Sequence, residues 1–287
     1  MIFIDHEALP VLEYSKESMT PTPSVLENIR EIVSDPLNRN IVIIFSNQSV
    51  EIIEEHFSHL LKDGGLENLW IAAESGYLYR TGSSTGENSE WRKLRNLATQ
   101  VWFNSVKKIM QTYTENVDGS IVEERESTLV WNHKNAEEEH GNMVVGELYS
   151  QIKSCLGSAP VEIVQGKGYL EVKPIKLKKT KLLKQLLAKI TQQTKIDYLL
   201  YLGADTGNEN VYNFLLNKKS SDQYFTKDTH HKYICTLGKK PSSALYYVDC
   251  VQDVEFMLTR FKKATHKRKR NRSYADLSKI SSSRPFN

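Results

Sequence analysis

Two carboxylates, Asp5 and Glu7, follow directly after the apolar run from Met1 to Ile4. An apolar, β-rich run that ends in a carboxylate places it at the C-terminal edge of a parallel sheet, where open α/β folds bind ligands. Asp5 is therefore a candidate nucleophile. The alternative is that Asp5 only begins a loop. Motifs elsewhere in the chain are needed to distinguish this interpretation from that of a nucleophile.

Apolar and amphipathic segments alternate along most of the chain in the manner of a parallel sheet with covering helices. The predicted helices are 24–34, 50–62, 91–115, 138–155, 180–191 and 208–217. The predicted strands are 1–4, 40–45, 69–73, 120–125, 128–133, 161–164, 169–172 and 196–202. The four middle strands indicate a small antiparallel sheet inserted between parallel-type units. We therefore predict an α/β fold, a doubly wound parallel-sheet core with an inserted α/β module.

Polar residues end or follow the core strands in a recognisable order. Asp5 and Glu7 follow the first strand, Ser46 the next, Lys179 precedes a helix, and Asp205 follows a later strand. This order resembles the haloacid-dehalogenase phosphotransferase superfamily. The resemblance implies a nucleophilic carboxylate, a phosphate-binding hydroxyl, a cation and a metal-holding acidic loop. Phosphoryl transfer needs those parts because positioning and charge neutralisation supply most of the catalysis.

The inserted module narrows the resemblance. The stretch from Gly119 to His133, with Gly-Ser-x-x-Glu-Glu and Leu-Val-Trp, is similar to the cap domain of trehalose-6-phosphate phosphatases, as are residues 72–77, 164–174 and 238–247. The resemblance covers residues 1 to about 262. It implies a core in two parts, 1–110 and 174–262, a cap over 111–173, and a tail over 263–287.

The first two motifs depart from the pattern of active members. Where the family has Asp-x-Asp-Gly-Thr, this chain keeps Asp5 but has Glu7 at the general-acid position, one methylene longer. A shift of about 1 Å in a proton donor costs roughly 100-fold in rate. Where the family has Ser-Gly-Arg, this chain has Ser46, Asn47 and Gln48, which removes a fixed cation.

The third motif survives through Lys179, whereas the fourth is the most altered. The family's Gly-Asp-Asp-x-Thr-Asp-Glu-Asp becomes residues 203–210, in which Ala204 replaces an expected magnesium ligand and Asn208 and Asn210 remove two further charges. Asp5 and Asp205 remain as a degenerate metal set. Because Mg²⁺ demands near-octahedral oxygen ligation, we expect no cofactor, or Mg²⁺ only with residual activity.

The sugar-facing part of the cap is less changed. The resemblance aligns the family's trehalose-contacting Glu, Lys and Glu with Glu123, Arg125 and Glu171. Carboxylates aimed at hydroxyl groups suit a polar disaccharide. The alternative is that these residues are exposed charges on alternating strands.

Composition fits a folded chain without a membrane segment. Of 287 residues, 39% are hydrophobic and 25% are charged, and no apolar run approaches the ~20 residues of a bilayer span.

The three cysteines, Cys155, Cys235 and Cys250, lack paired spacing and are expected to be buried thiols. We predict a cytoplasmic protein. Its first residue already lies in the first core strand, which favours an excised domain.

The end of the chain is strongly basic. From Lys262 onward there are nine Lys or Arg against one acid, in a chain of net charge +3. This composition predicts a disordered tail. Such a basic run can bind nucleic acid, but a solvated terminus is the commoner explanation.

These departures favour a catalytically inactive phosphatase-like domain, a pseudophosphatase. Such domains resemble the large regulatory subunits of the fungal trehalose synthase complex, which implies trehalose-6-phosphate synthase and phosphatase subunits as partners. One alternative is a slow magnesium-dependent phosphatase with Asp5 as nucleophile and Glu7 as acid. Another is a sensor that binds trehalose 6-phosphate without turnover.

Overall fold

The computed structural model describes residues 1–10, 20–35, 40–62, 66–82, 90–94, 101–192, 195–226 and 231–264. The predicted basic tail therefore lies outside the described residues, apart from residues 263 and 264, which end a helix. No helix in the described part of the chain is both long and apolar enough to cross a bilayer.

The core is one eight-stranded sheet. Its strands, numbered in chain order with those of the cap, are β1 Ile2–Asp5, β2 Val42–Phe45, β3 Leu69–Ala73, β4 Leu78–Arg80, β5 Arg92–Lys93, β10 Tyr198–Gly203, β11 His231–Leu237 and β12 Tyr246–Val248. Their order in the sheet is β12-β11-β10-β1-β2-β3-β4-β5. The strands from β12 to β3 are parallel, and β4 and β5 extend the sheet in antiparallel pairing.

Helices cover both faces of this sheet, which confirms the doubly wound α/β class. The core helices are α1 Pro23–Val33, α2 Val50–His56, α3 Ser58–Leu61, α6 Lys179–Ile190, α7 Glu209–Leu216, α8 Lys218–Ser221 and α9 over 251–264. Strand β1 shows why its sequence is apolar throughout. Ile2 and Ile4 pack on the face with α1 and α9, whereas Met1 and Phe3 pack on the face with α6 and α7.

The inserted module is a four-stranded antiparallel sheet with two helices. Its elements are α4 Val101–Thr114, β6 Ile121–Glu124, β7 Leu129–Asn132, α5 Glu138–Leu156, β8 Val161–Gly166 and β9 Tyr169–Pro174. The strand order is β6-β7-β9-β8, and its core includes Trp131 of β7 and Leu148 of α5. Val106 and Met110 of α4 belong to this core, so the predicted boundary after residue 110 lies inside a helix of the cap.

Two predicted helices and the prediction for the cysteines need correction. The predicted helix over 91–115 is wrong at its start, because Arg92 and Lys93 pair with β4 as an edge strand. The predicted helix over 50–62 is interrupted at the buried Phe57. All three cysteines are free thiols, but only Cys235 is buried, whereas Cys155 and Cys250 are exposed.

Candidate functional site

The ends of three neighbouring strands bring the predicted core residues together. Strands β10, β1 and β2 lie side by side and end near Asp205, Asp5 and Ser46, in that order. Lys179 begins helix α6 and reaches the same edge, where Asp5, Ser46 and Lys179 are all buried. The juxtaposition expected from parallel strand ends is therefore present.

Asp5 is surrounded by N–H donors. The Lys179 ammonium donates to both carboxylate oxygens at 3.1 Å. The Ala204 backbone N–H and the Asn208 side-chain amide donate to Oδ2 at 3.1 and 2.5 Å. Burial raises the pKa of Asp5, while Lys179 and the two N–H donors act against that rise. The carboxylate lone pairs that Asp5 would need as a nucleophile therefore accept hydrogen bonds from donors of the same chain.

Asp205 is held in the same network. Its Oδ2 accepts from Lys179 at 3.3 Å and from the Asn47 side-chain amide at 3.0 Å, and its Oδ1 accepts from Asn208 at 2.8 Å. Burial works against ionisation, but Lys179 and Asn47 outweigh it and lower the pKa of Asp205. Burial likewise disfavours the charged form of Lys179, yet the surrounding carboxylates raise its pKa. Lys179 is therefore an ammonium ion shared by two aspartates.

These residues do not suit Mg²⁺. The Asn208 amide nitrogen lies between the two aspartates, where a shared cation would sit, and it donates to both of them. Each carboxylate oxygen of Asp5 and Asp205 already accepts an N–H. In the described part of the chain, no group of three or more His, Cys, Asp or Glu could hold a metal ion. Mg²⁺ needs oxygen lone pairs directed at the ion, whereas the lone pairs of these two carboxylates accept hydrogen bonds from N–H groups.

Glu7 lies beside this network, in the 3-10 turn His6–Ala8. The Asn47 backbone N–H donates to its Oε1 at 3.1 Å, whereas its Oε2 is buried and accepts no hydrogen bond from the residues that the structure describes. Burial raises the pKa of Glu7 to about 7, although Lys179 partly opposes the shift. The predicted general acid is thus close to the predicted nucleophile.

Ser46 is engaged with a histidine pair. Its Oγ accepts from the Gln48 N–H at 3.1 Å and lies 3.1 Å from Nδ1 of His6. Nε2 of His6 lies 3.2 Å from Nδ1 of His56, and both rings are buried. Desolvation lowers the pKa of His56, which favours a neutral imidazole. Sequence reasoning missed both histidines, because the strand-end pattern points only to Ser46.

The cap presents its predicted sugar residues to the edge of the core. Glu123 and Glu171 both lie in register with Val130, on the sheet face opposite the cap's apolar core. Arg125 donates to Glu123 at 2.7 Å and to the Asn47 carbonyl oxygen of the core at 2.7 Å. Glu171 pairs with Lys173 at 2.8 Å. The three predicted residues therefore share one polar face above the cleft.

Glu74 joins the cap to the core, and sequence reasoning missed it. Its carboxylate accepts from the N–H groups of Glu126 and Ser127 at 3.1 and 2.8 Å, and from the Ser127 hydroxyl at 2.6 Å. Glu74 and Ser75 have φ angles of 48° and 55°, in the left-handed region. The available signal was a carboxylate directly after strand β3, followed by Ser75 and Gly76.

Comparison with protein families identifies one match over most of the chain. The family model described as trehalose-phosphatase matches residues 10–252. Alpha,alpha-trehalose-phosphate synthase (UDP-forming) 5 of Arabidopsis thaliana is 30% identical over 258 residues, which is 90% of this chain and 28% of that protein. Synthase B of Dictyostelium discoideum is 27% identical over 222 residues, 77% of this chain and 26% of that protein. The chain thus spans little more than a quarter of these relatives.

Solved structures show the fold. The C-terminal domain of Candida albicans trehalose-6-phosphate phosphatase has a TM-score of 0.73 at 21% identity, covering 91% of this chain and 90% of that chain. The C-terminal domain of the Candida albicans trehalose synthase regulatory protein has a TM-score of 0.67 at 14% identity, covering 90% and 92%. A haloacid dehalogenase-like hydrolase of Bacteroides thetaiotaomicron has a TM-score of 0.58 at 10% identity, covering 90% and 98%. The predicted haloacid-dehalogenase-like fold is confirmed.

Proposed function

Since this chain belongs to the trehalose-phosphatase family, we propose that it is a phosphatase-like domain without hydrolytic activity. In this proposal it serves as a regulatory or structural part of a trehalose-6-phosphate synthase and phosphatase assembly in the cytoplasm. One observation carries the proposal: the Asn208 amide occupies the position between Asp5 and Asp205 that a catalytic cation would need. Without a metal ion, the Lys179 ammonium faces both aspartates and the charge of an attacked phosphate ester, which a single cation does not neutralise.

The loss of hydrolysis is tested by release of phosphate from trehalose 6-phosphate in excess Mg²⁺. The matched control is Asp5→Asn, which removes the nucleophilic carboxylate and keeps nearly the same side-chain size. We expect the wild-type chain to release phosphate no faster than Asp5→Asn. Mg²⁺-dependent release that disappears in Asp5→Asn would refute the proposal.

One observation favours the alternative of a slow phosphatase. Glu7 is a buried carboxyl whose pKa is raised to about 7, which suits proton donation near neutral pH. In that alternative Asp5 attacks phosphorus and Glu7 protonates the leaving sugar oxygen. A Mg²⁺-dependent rate that falls strongly in both Asp5→Asn and Glu7→Gln would support it over the inactive domain.

Assembly with other subunits is supported by the kinds of relatives that share this sequence and fold. Among them are synthases whose length exceeds this chain more than threefold and a protein described as a trehalose synthase regulatory protein. We propose synthase and phosphatase subunits of the trehalose pathway as partners. Co-elution with the purified subunits, together with a changed synthase rate, is the expected result. Separate elution at micromolar concentrations would contradict it.

The polar face of the cap is proposed to bind a sugar. Glu123, Arg125 and Glu171 offer charged hydrogen-bonding groups on one face of the cap. Their present partners are neighbours two residues away, the Asn132 side-chain amide on the adjacent strand, and the Asn47 carbonyl oxygen. A ligand at ~100 times its dissociation constant would stabilise the fold by ~2.7 kcal/mol. We expect trehalose 6-phosphate or trehalose to raise the melting temperature of the wild type but not of Glu123→Gln/Glu171→Gln. An unchanged wild-type curve at millimolar sugar would contradict this role.

A further inference from the structure

Glu7 sits where an incoming oxyanion would be expected to bind. An anion beside Asp5 would use three donors of this strand edge: the Asn47 backbone N–H, the Ser46 hydroxyl and the Lys179 ammonium. The Asn47 N–H already donates to Oε1 of Glu7 at 3.1 Å. The Glu7 carboxylate thus connects the turn after β1 to the loop after β2.

The remaining donors are engaged within the chain as well. Lys179 donates to Asp5 and Asp205, and the Ser46 oxygen contacts His6 and the Gln48 N–H. Oε2 of Glu7 is buried and accepts no hydrogen bond from any described residue. A carboxylate therefore fills the position beside the Asn47 N–H. Burying its second oxygen without a hydrogen bond from the described residues is unfavourable unless the rest of the fold imposes it.

We propose that Glu7 is a built-in anion that occupies the oxyanion position of this cleft and excludes inorganic phosphate and phosphate esters. The inference rests on the proposed function, because a phosphatase would need this position for the phosphoryl group. It assigns Glu7 a role in blocking the binding of anions, which differs from the role of general acid.

The test is the affinity of the full chain for inorganic phosphate, measured by isothermal titration calorimetry without Mg²⁺ at pH 8, where Glu7, with a pKa of about 7, is mostly ionised. Glu7→Gln removes the charge and keeps the shape, and Glu7→Ala removes both. Glu115→Gln is the matched control, because Glu115 is an exposed glutamate of the cap, outside the cleft. We expect phosphate to bind at least tenfold more tightly to both Glu7 variants than to the wild type, with Glu7→Ala the tighter of the two. A like charge within about 5 Å disfavours a partly buried anion by at least this factor.

An unchanged phosphate affinity in both Glu7 variants, including no measurable binding in either, would overturn the inference. An equal gain in Glu115→Gln would also overturn it, because the effect would then be one of overall charge. Phosphate release from trehalose 6-phosphate by the wild type is measured separately. Such turnover would refute the proposed function. If the wild type shows no turnover and the Glu7 variants bind phosphate no more tightly than the wild type, only the proposed role of Glu7 is refuted.

Discussion

The strand-end cluster of the core and the polar face of the cap both consist of charged residues in pairs, but the pairs are built differently. In the core, Lys179 and Asp5 are 174 residues apart in sequence and have side chains 5% and 0% exposed. On the cap, Glu123 pairs with Arg125, just after the end of β6, and Glu171 pairs with Lys173 within β9, with side chains 10% to 28% exposed.

The difference separates charges fixed by the fold from charges that a ligand can redirect. The core pairs connect different elements, and opening one would leave a buried ion without a partner, which is strongly unfavourable. The cap pairs are local and less buried than the Lys179–Asp5 pair, so replacing a partner by a sugar hydroxyl costs less there than in the core. The cap face can therefore exchange partners more readily than the buried cluster at the strand ends of the core.

The largest expected effect comes from removing the shared cation. Lys179→Met leaves Asp5 and Asp205 without their ammonium partner, and we expect a loss of about 3–5 kcal/mol in the free energy of unfolding. Lys173→Met on the cap makes the same chemical change in a local pair that is 10% to 18% exposed, and we expect a clearly smaller loss than for Lys179→Met. Urea unfolding of both variants at neutral pH measures the difference. Equal losses in the two variants would contradict the distinction between the regions.

The pH dependence of stability gives the next largest effect. Burial raises the pKa of Glu7 from 4.5 to about 7 in the folded chain. The folded state therefore binds more protons at Glu7 than the unfolded state between these values, so the contribution of Glu7 to stability is fully present below pH 4.5 and is lost as the pH rises through 7. We expect Glu7→Gln to gain roughly 2 to 3 kcal/mol relative to the wild type between pH 5 and pH 8.

Urea unfolding of the two proteins at several pH values measures this gain. The exposed Glu115→Gln serves as control, and its stability should follow that of the wild type across the range. Parallel curves for Glu7→Gln and the wild type would show that Glu7 is ionised without cost in the folded chain.

Sequence reasoning predicted the core well because apolar strands buried on both faces, such as β1, leave few alternatives. The meeting of Asp5, Ser46 and Asp205 was expected from parallel strand ends, whereas Lys179, at the start of a helix, was added to them by the family resemblance. Edge strand β5 was predicted as part of a helix, because two residues that pair only with β4 have no periodicity of their own. Asn208 was interpreted only as a lost negative charge, and Asn47 was given no role of its own. Their role as donors to the aspartates depends on side-chain directions that a sequence does not specify.

The junction between the two regions should respond less strongly than the core cluster. Glu74→Gln keeps the backbone and length of the side chain but replaces one acceptor oxygen by a donor that faces Glu126 and Ser127. We expect a loss of about 1–2 kcal/mol and faster amide hydrogen exchange at Ser127. Lys93→Met breaks the exposed ion pair between Lys93 and Glu126 and is the control. Protection of Ser127 that is unchanged in Glu74→Gln would contradict the role of Glu74 as a cap contact.

The smallest expected effect is the response of the wild type to Mg²⁺, because the donors around Asp5 and Asp205 leave no oxygen set for the ion. We expect the melting temperature in millimolar MgCl₂ to equal that in NaCl of the same ionic strength. The variant Ala204→Asp/Asn208→Asp replaces the amide donor and adds two carboxylates at the same strand edge. At ten times its dissociation constant, Mg²⁺ should stabilise this variant by about 1.4 kcal/mol. Specific stabilisation of the wild type, or none of the variant, would show that Asn208 does not decide whether this edge of the sheet accepts a cation.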